Sequence, residues 1–247
     1  MKRDAIIGPL AVVALWSLLH WGGLVRPLFL PSPVATAAAL ARMVGSAQGL
    51  LDIGWTLLRV LVGFALACLI GIPTGIMMGR WTRVSAALGL VVDFLRSLPA
   101  LAMFPLLMLV FGIGESAKVA TAVLSCSLVL VINAMYGVQQ SPPVRLIVAK
   151  QMGACEREMF TRVVLWDALP HIAAGMRVAL SLAVVVIVVT EMFVGTIAGI
   201  GYRIFQDQLT YRVPEMYAAI ILAGMLGYGL NRAFVAVERR AVHWVGR

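Results

Sequence analysis

The sequence predicts an all-α polytopic membrane protein with six transmembrane helices, organised as one domain over residues 1–247. Three observations carry this. Of the 247 residues 62% are hydrophobic and only 13% charged, with a mean hydropathy of +0.97, far outside the usage of water-soluble domains. Six apolar stretches, at about 5–21, 55–78, 86–112, 119–137, 172–195 and 216–236, approach the roughly 20 residues a helix needs to cross a bilayer. The strict alternation of a membrane β-barrel is absent from the sequence. The stretches follow one another too closely for a separate water-soluble domain, and no internal repeat or low-complexity tract stands out.

The first stretch follows Lys2 and Arg3 and has no small-residue cleavage site behind it, so it reads as an uncleaved span. Next, LFLPSPVATAAALARMVGS carries a helix start, with Ser32 at the N-cap and Pro33 at the first helical position. Leu40 and Met43 share an apolar face there, which suits a helix lying along the membrane surface. The second span holds Gly63, Gly71, Gly75 and Gly79, small residues that let helix backbones approach closely, together with Arg59 and a kink site at Pro73.

The third span, DFLRSLPALAMFPLLMLVFGIG, is the least regular. Asp93 and Arg96 have the three-residue spacing of an ion pair on one helix face, and Pro99 and Pro105 remove backbone donors where lipid offers no substitute. Charge and broken helix at membrane depth face protein or a water-filled cavity. Arg96 therefore has two readings. It stands beside a passing anion, in a pathway with Pro99 and Met103, or it belongs to a structural pair near the cytoplasmic boundary. The fourth span adds Asn133 to the candidate pathway. Near the end of the fifth is Glu191, a carboxyl group that needs a partner or water, either lining the pathway or serving helix packing. Beyond it, GTIAGIGYRIFQDQLTYRVPEMY is glycine-rich and then polar and aromatic. It reads as a partly re-entrant outer gate with Gly199, Gly201 and Tyr202, or as an ordinary outer loop whose Tyr202, Tyr211 and Tyr217 form an aromatic belt. The sixth span carries Asn231 and Arg232.

Basic residues set the orientation. With a cytoplasmic N-terminus, that side receives Lys2, Arg3, Arg80, Arg83, Arg145, Lys150, Arg157, Arg162, Arg239, Arg240 and Arg247. The other side receives Arg26, Arg42, Lys118, Arg203 and Arg212, so eleven against five puts both termini and the loop 141–170 in the cytoplasm. The same distribution, at the ends of apolar runs, accounts for the net charge of +9 without a nucleic-acid partner.

That loop, in SPPVRLIVAKQMGACEREMFTRVVLWDALPHIAAGMR, is organised. Ser141 followed by two prolines signals a helix start, Val144 to Met152 a short helix, and Gly153 its end. Ala149, Gly153 and Ala154 offer a small-residue surface, and Arg145, Lys150 and Gln151 polar contacts. A second short helix fits Cys155 to Leu165, with Glu156 and Glu158 in its first turn and Arg162 in its last, as the helix dipole favours; Pro170 then breaks the chain before the fifth span. Two short helices joined at a glycine suit mechanical coupling to another protein, although a solvated loop has the same composition.

Other chemistries find no support. Cys68, Cys126 and Cys155 are scattered and odd in number, which indicates neither a disulfide frame nor a metal site. His20, His171 and His243 are isolated, no His/Glu pair has helical metal-ligand spacing, and no G-x-S-x-G turn occurs, so no catalytic residue is assigned.

The loop resembles the cytoplasmic EAA loop of binding-protein-dependent ABC importer permeases, with Ile147, Val148 and Ala149 at the E-A-A positions, Gly153 at the glycine, and Val163 and Leu165 before the usual proline. Ile147 replaces the acidic residue and Trp166 stands at the proline position, while ALPHIAAGMR is retained. LPSPVATAAAL, TLLRVLVGFALACLIGIPTGIMMGR, FLRSLPALAMFPLLMLVFGIGESAK and TEMFVGTIAGIGY are similar, in the same order, to the nitrate, sulfonate and taurine branch of that superfamily. The resemblance implies the type I ABC importer permease fold, a permease homodimer in the bacterial inner membrane, a cytoplasmic ABC ATPase dimer and an extracytoplasmic solute-binding protein. ATP and Mg would then reside on the ATPase partner, with no cofactor on this chain, in keeping with the lack of a G-x-x-x-x-G-K-[ST] phosphate loop. The expected substrate is a small anion such as a sulfonate, nitrate, bicarbonate or carboxylate. The competing class is a self-sufficient secondary transporter or channel using Asp93, Arg96 or Glu191, against which the organised loop and the absent repeat both weigh.

Overall fold

The computed structural model describes residues 4–23, 25–26, 28–193 and 195–241; Lys2, Arg3, His243 and Arg247 lie outside the described residues. Among the described residues every regular element is helical: α1 (Asp4–Trp21), α2 (Pro33–Gly45), α3 (Ala47–Arg80), α4 (Thr82–Ser97), a 3₁₀ turn (Ala100–Met103), α5 (Phe104–Phe111), α6 (Glu115–Gln139), α7 (Pro143–Gln151), α8 (Glu156–Met159), a π turn (Phe160–Val164), α9 (Leu165–Glu191), α10 (Ile200–Leu209) and α11 (Val213–Ala241). Four runs are long and apolar enough to cross a membrane: Ala47–Arg80, Glu115–Gln139, Glu156–Glu191 and Val213–Arg240. The pair Thr82–Ser97 and Ala100–Phe111 makes a fifth if counted together. Ile7–Trp21 and Pro33–Gly45 are shorter apolar helices. Leu90 and Leu109, 81% and 85% exposed, suit surroundings of lipid rather than water.

The chain divides into two compact units, Met1–Thr56 with Glu191–Leu226, and Leu57–Thr190 with Gly227–Arg247. In the first, α2 begins as its sequence predicts: Ala35 N donates to Ser32 Oγ at 3.1 Å, with Pro33 in the first turn. Trp16 Nε1 donates to Pro31 O at 2.9 Å, and Tyr217 Oη donates to Phe29 O at 3.1 Å.

In the second unit the glycines of α3 form a rail against α6. A Cβ at Gly71 would stand 2.7 Å from Ser127 O, at Gly75 2.3 Å from Val131 O, and at Gly79 2.7 Å from Val138 Cβ. Repeated every fourth residue, they bring two backbones to a separation that no side chain permits. A neighbouring face of α6 meets α9 in the same way, because a Cβ on Gly175 would overlap Asn133 Cβ at 2.6 Å. Ala134, Val138, Ala168 and Ile172 form a buried cluster there, flanked by Ile72, Ile76, Phe160, Val164 and Met176.

Several expectations change. The stretch 86–112 is not one straight span: α4 ends at Ser97, Pro99 precedes the 3₁₀ turn, and the following helix leaves at 94°, since a proline can neither donate to a preceding turn nor leave its predecessor helical. The second loop helix, expected over Cys155 to Leu165, is not separate. Pro170 does not break the chain, and Glu156–Glu191 runs as one helix through a π turn. The ring removes one hydrogen bond, while Ala168 and Ile172 on either side are buried against α6. Ser141 is not the N-cap. A residue before proline is driven extended, so the cap falls on Pro142 (φ −59°, ψ 123°), which has no side-chain acceptor, and α7 starts at Pro143 rather than Val144. The second span begins within a helix that starts at Ala47, and the fifth within one that starts at Glu156, instead of at 55 and 172.

Candidate functional site

The loop after α6 presents α7 as a short helix with a closed C-terminus. Gly153 (φ 86°) ends it in the left-handed conformation only glycine adopts freely, with Gly153 N donating to Lys150 O at 3.0 Å and Ala154 N to Ala149 O at 3.1 Å. These two bonds, one nested inside the other, satisfy two of the last carbonyls. On its surface Val144, Ile147 and Val148 are exposed by 69%, 57% and 47%, an apolar stripe at the three- and four-residue spacing of one helix face. Lys150 and Gln151 lie in the last turn of α7, and Ala154 follows the glycine. An Arg145–Asp167 ion pair ties the first turn of α7 to α9.

Across Gly153, Glu156 opens α8, Cys155 N donates to Glu158 Oε2 at 3.1 Å, and Arg162 is 3.8 Å from Glu158. The Arg80 guanidinium, at the end of α3, lies 4.1 Å from the ring centroid of Phe160 in the π turn, a cation–π contact. The loop is therefore tied to α9 through Asp167 and to α3 through Phe160. Sequence reasoning missed both ties, since neither Asp167 nor Phe160 carries a local signal.

The candidate pathway residues divide. Arg96 Nε lies 3.0 Å from Asp93 Oδ1 near the end of α4, both side chains more than half exposed, so the predicted pair forms. Pro99 caps the 3₁₀ turn that contains Met103, and Asn133 Nδ2 donates to Val129 O of its own helix at 2.8 Å. These four belong to the second unit, Glu191 to the first.

Glu191, fully buried, is a hub. Thr56 Oγ1 lies 3.0 and 2.9 Å from its two carboxyl oxygens, and Gly201 N donates to Oε2 at 2.9 Å. The hydroxyl oxygen of Thr56 also accepts from Ile200 N at 2.9 Å. One helical turn earlier, Asp52 accepts from Gly199 N at 2.9 Å and from Arg203 Nη2 at 2.8 Å. The N-terminus of α10, where backbone donors have no helical partner, is thus held by two carboxyl groups and a hydroxyl. Gly199 (φ 139°) is obligatory: a Cβ would stand 2.6 Å from Glu191 Cδ. Of the candidate gate residues, Gly199 and Gly201 join this clamp, and Tyr202 follows in the first turn of α10. The sequence flagged Glu191 as needing a partner; Thr56 lay too far off in the chain to be connected to it, as Asp52 did from Arg203.

A second buried charge group also escaped sequence reading. Arg59 Nη2 donates to Glu115 Oε1 at 2.8 Å, Lys118 Nζ donates to the same oxygen at 2.9 Å, and both cations are nearly fully buried. Among the described residues no cluster of His, Cys, Asp and Glu suits a metal ion.

Residues 71–242 match the family described as binding-protein-dependent transport system inner membrane component. The putative aliphatic sulfonates transport permease protein SsuC of Escherichia coli (strain K12) is 32% identical over 236 residues, covering 96% of this chain and 89% of that protein. The taurine transport system permease protein TauC of the same organism is 30% identical over 247 residues, covering 97% and 89%. Among solved structures, the MetNI methionine ABC transporter in an inward-facing conformation superposes with a TM-score of 0.64 at 20% identity, over 78% of this chain and 93% of that one, a likeness of fold. The chain therefore belongs to the binding-protein-dependent transport inner membrane component family, in its nitrate, sulfonate and taurine branch, and is the permease component of an ABC importer.

Proposed function

We propose that the chain is one permease domain over residues 1–247 crossing the inner membrane six times, with α1 as a short first span, the bent α4–α5 pair as the third and both termini cytoplasmic. Two copies form the substrate pathway. A cytoplasmic ATPase dimer binds ATP and Mg and carries the hydrolytic chemistry, and an extracytoplasmic solute-binding protein delivers the solute. The chain itself has no catalytic role.

The observation that carries the coupling role is the exposed stripe of Val144, Ile147 and Val148 on a helix closed at Gly153. An exposed apolar stripe on a loop-borne helix fits a groove on another protein. It also gives a physical account of Ile147 at the acidic position: the contact with the ATPase is apolar, flanked by Arg145, Lys150, Gln151 and Glu156 at its rim. Closing of the ATPases would push α7, and the ties through Arg145–Asp167 and Arg80–Phe160 pass the motion to α9 and α3. The relative named for aliphatic sulfonates supports a small anion as substrate.

The test is Gly153→Leu. No atom stands within 4 Å of a Cβ at this position, so the cost comes from the left-handed backbone, about 1–2 kcal/mol, and falls on the end of α7. The variant should reach the membrane at normal abundance while ATP hydrolysis runs without uptake. Normal uptake at normal abundance removes the loop from this role.

A further inference from the structure

We infer that the cavity between the α2–α3 turn and the α10–α11 turn is a headgroup site for a membrane phospholipid that carries both a phosphate and a primary ammonium. None of its residues belongs to the pathway, the outer gate or the coupling loop. The cavity has a volume of about 280 Å³, within the first unit, and its lining includes Arg42, Gln48, Arg203, Asp207, Arg212 and Glu215. Drug-sized pockets run to roughly 300–1,000 Å³, so this one suits a phosphoethanolamine group with the rest of the lipid outside.

Two charges of the lining are left over. Arg42 lies 3.2 Å from Glu215 and Arg203 2.8 Å from Asp52, so the other charges each have a partner. Asp207 is only 5% exposed, and its Oδ2 is buried without a hydrogen-bond partner among the described residues. Arg212, in the same turn, has its N donating to Asp207 O at 2.9 Å, and its charge acts on the Asp207 carboxyl group. Among the described residues the two side chains nevertheless form neither a hydrogen bond nor an ion pair. A buried carboxylate oxygen in this position needs a donor, and a cationic donor serves it best. Its exposed neighbour of opposite sign needs an anion. A headgroup with an ammonium and a phosphate joined by a short ethylene link supplies both, the ammonium at Asp207 and the phosphate at Arg212.

Position selects a lipid over a water-borne compound. Gln48 and Gly49 stand in the first turn of the membrane-crossing run Ala47–Arg80, and Glu215 in the first turn of Val213–Arg240, so the cavity lies where two such runs begin. Charged pockets at the ends of membrane helices are where headgroups bind. Val44, Leu50, Leu51, Leu209 and Tyr211, close along the chain to the lining residues, are all exposed. Apolar and aromatic side chains there suit glycerol and acyl chains, from which a small soluble ligand gains nothing.

The test titrates the full chain, purified in detergent and freed of lipid, with three phospholipids of identical acyl chains, and reads bound lipid by native mass spectrometry. They are phosphatidylethanolamine, its N-trimethyl analogue phosphatidylcholine, and phosphatidylglycerol. The wild type should hold the ethanolamine lipid at least about tenfold more tightly than the other two, the size of one hydrogen-bonded charge contact. Asp207→Asn should lower it to their level, Asp207→Glu should keep the preference, and Arg212→Gln should weaken all three. Without lipid, Asp207→Asn gives up an unpaired buried charge rather than a hydrogen bond, so the variant folds. Equal binding of the three lipids, no bound lipid, an unchanged preference in Asp207→Asn, its loss in Asp207→Glu, or wild-type binding in Arg212→Gln overturns the inference. Glycerophosphoethanolamine, the same headgroup without acyl chains, should bind far more weakly than the whole lipid. Binding of equal strength assigns the cavity to a water-borne compound and overturns the lipid site.

Discussion

Thr56→Val probes the clamp on α10 with almost no change in shape. The hydroxyl it removes is fully buried and has two roles, donating to the Glu191 carboxyl group and accepting from Ile200 N at 2.9 Å. Losing the first bond costs about 1 kcal/mol net, and leaving a buried N–H without an acceptor costs about 1–3 kcal/mol. Together they lower the free energy of opening the segment around Gly199 by about 3 kcal/mol, a factor of roughly 150 in the open population. Hydrogen–deuterium exchange on peptides covering residues 196–203, read by mass spectrometry on the protein in nanodiscs, should show the Ile200 and Gly201 amides exchanging faster by about that factor. Thr56→Ser, which keeps the hydroxyl, should stay within a few-fold of wild type. Wild-type exchange in Thr56→Val would refute the assignment of Thr56 and Glu191 as the latch of this segment.

Three further variants test packing and charge. Gly75→Leu places a side chain where even a Cβ lies 2.3 Å from Val131 O, so it should cost at least the roughly 1–3 kcal/mol of ordinary overpacking and reduce membrane abundance sharply. Gly54→Ala, with no atom within 4 Å, should accumulate normally by quantitative immunoblot. For Asp207, burial pushes the carboxyl group above the usual aspartate range, opposed by Arg203 and Arg212 and reinforced by Glu215 and Asp52, and its Oδ2 has no hydrogen-bond partner among the described residues. An acid whose folded pKa is raised stabilises when protonated. That contribution is complete below the ordinary aspartate range and is lost as pH rises through the raised value. Asp207→Asn should therefore raise the unfolding temperature at neutral pH and give no gain in acid; a less stable Asn variant at neutral pH contradicts this.

The hydropathy pattern made the helices legible because lipid demands long apolar runs with internally paired backbones. It could not show how those runs are interrupted. Pro99 bends the chain and Pro170 does not, and what separates them is whether neighbouring residues are packed firmly enough to hold a helix through the missing bond. The glycine rail was visible as spacing, although its partner, α6, was not. Buried charges fared worst. Asp52 and Arg203 are 151 residues apart, Thr56 and Glu191 135, and Arg59 and Glu115 56, so no local window contains both halves of any of these contacts. Within one window the reading was better: Gly153 ends its helix, Ser32 caps its own, and Asp93 pairs with Arg96.

The most direct measurement of the account is solute uptake into proteoliposomes containing this chain, with and without its ATPase, its solute-binding protein and Mg-ATP. A permease component of an ABC importer moves solute only when all of them are present, and the predicted result is uptake that disappears when any one is withheld. Uptake by the chain alone, driven by an ion or solute gradient without ATP, would contradict the account and favour a self-sufficient secondary transporter or channel.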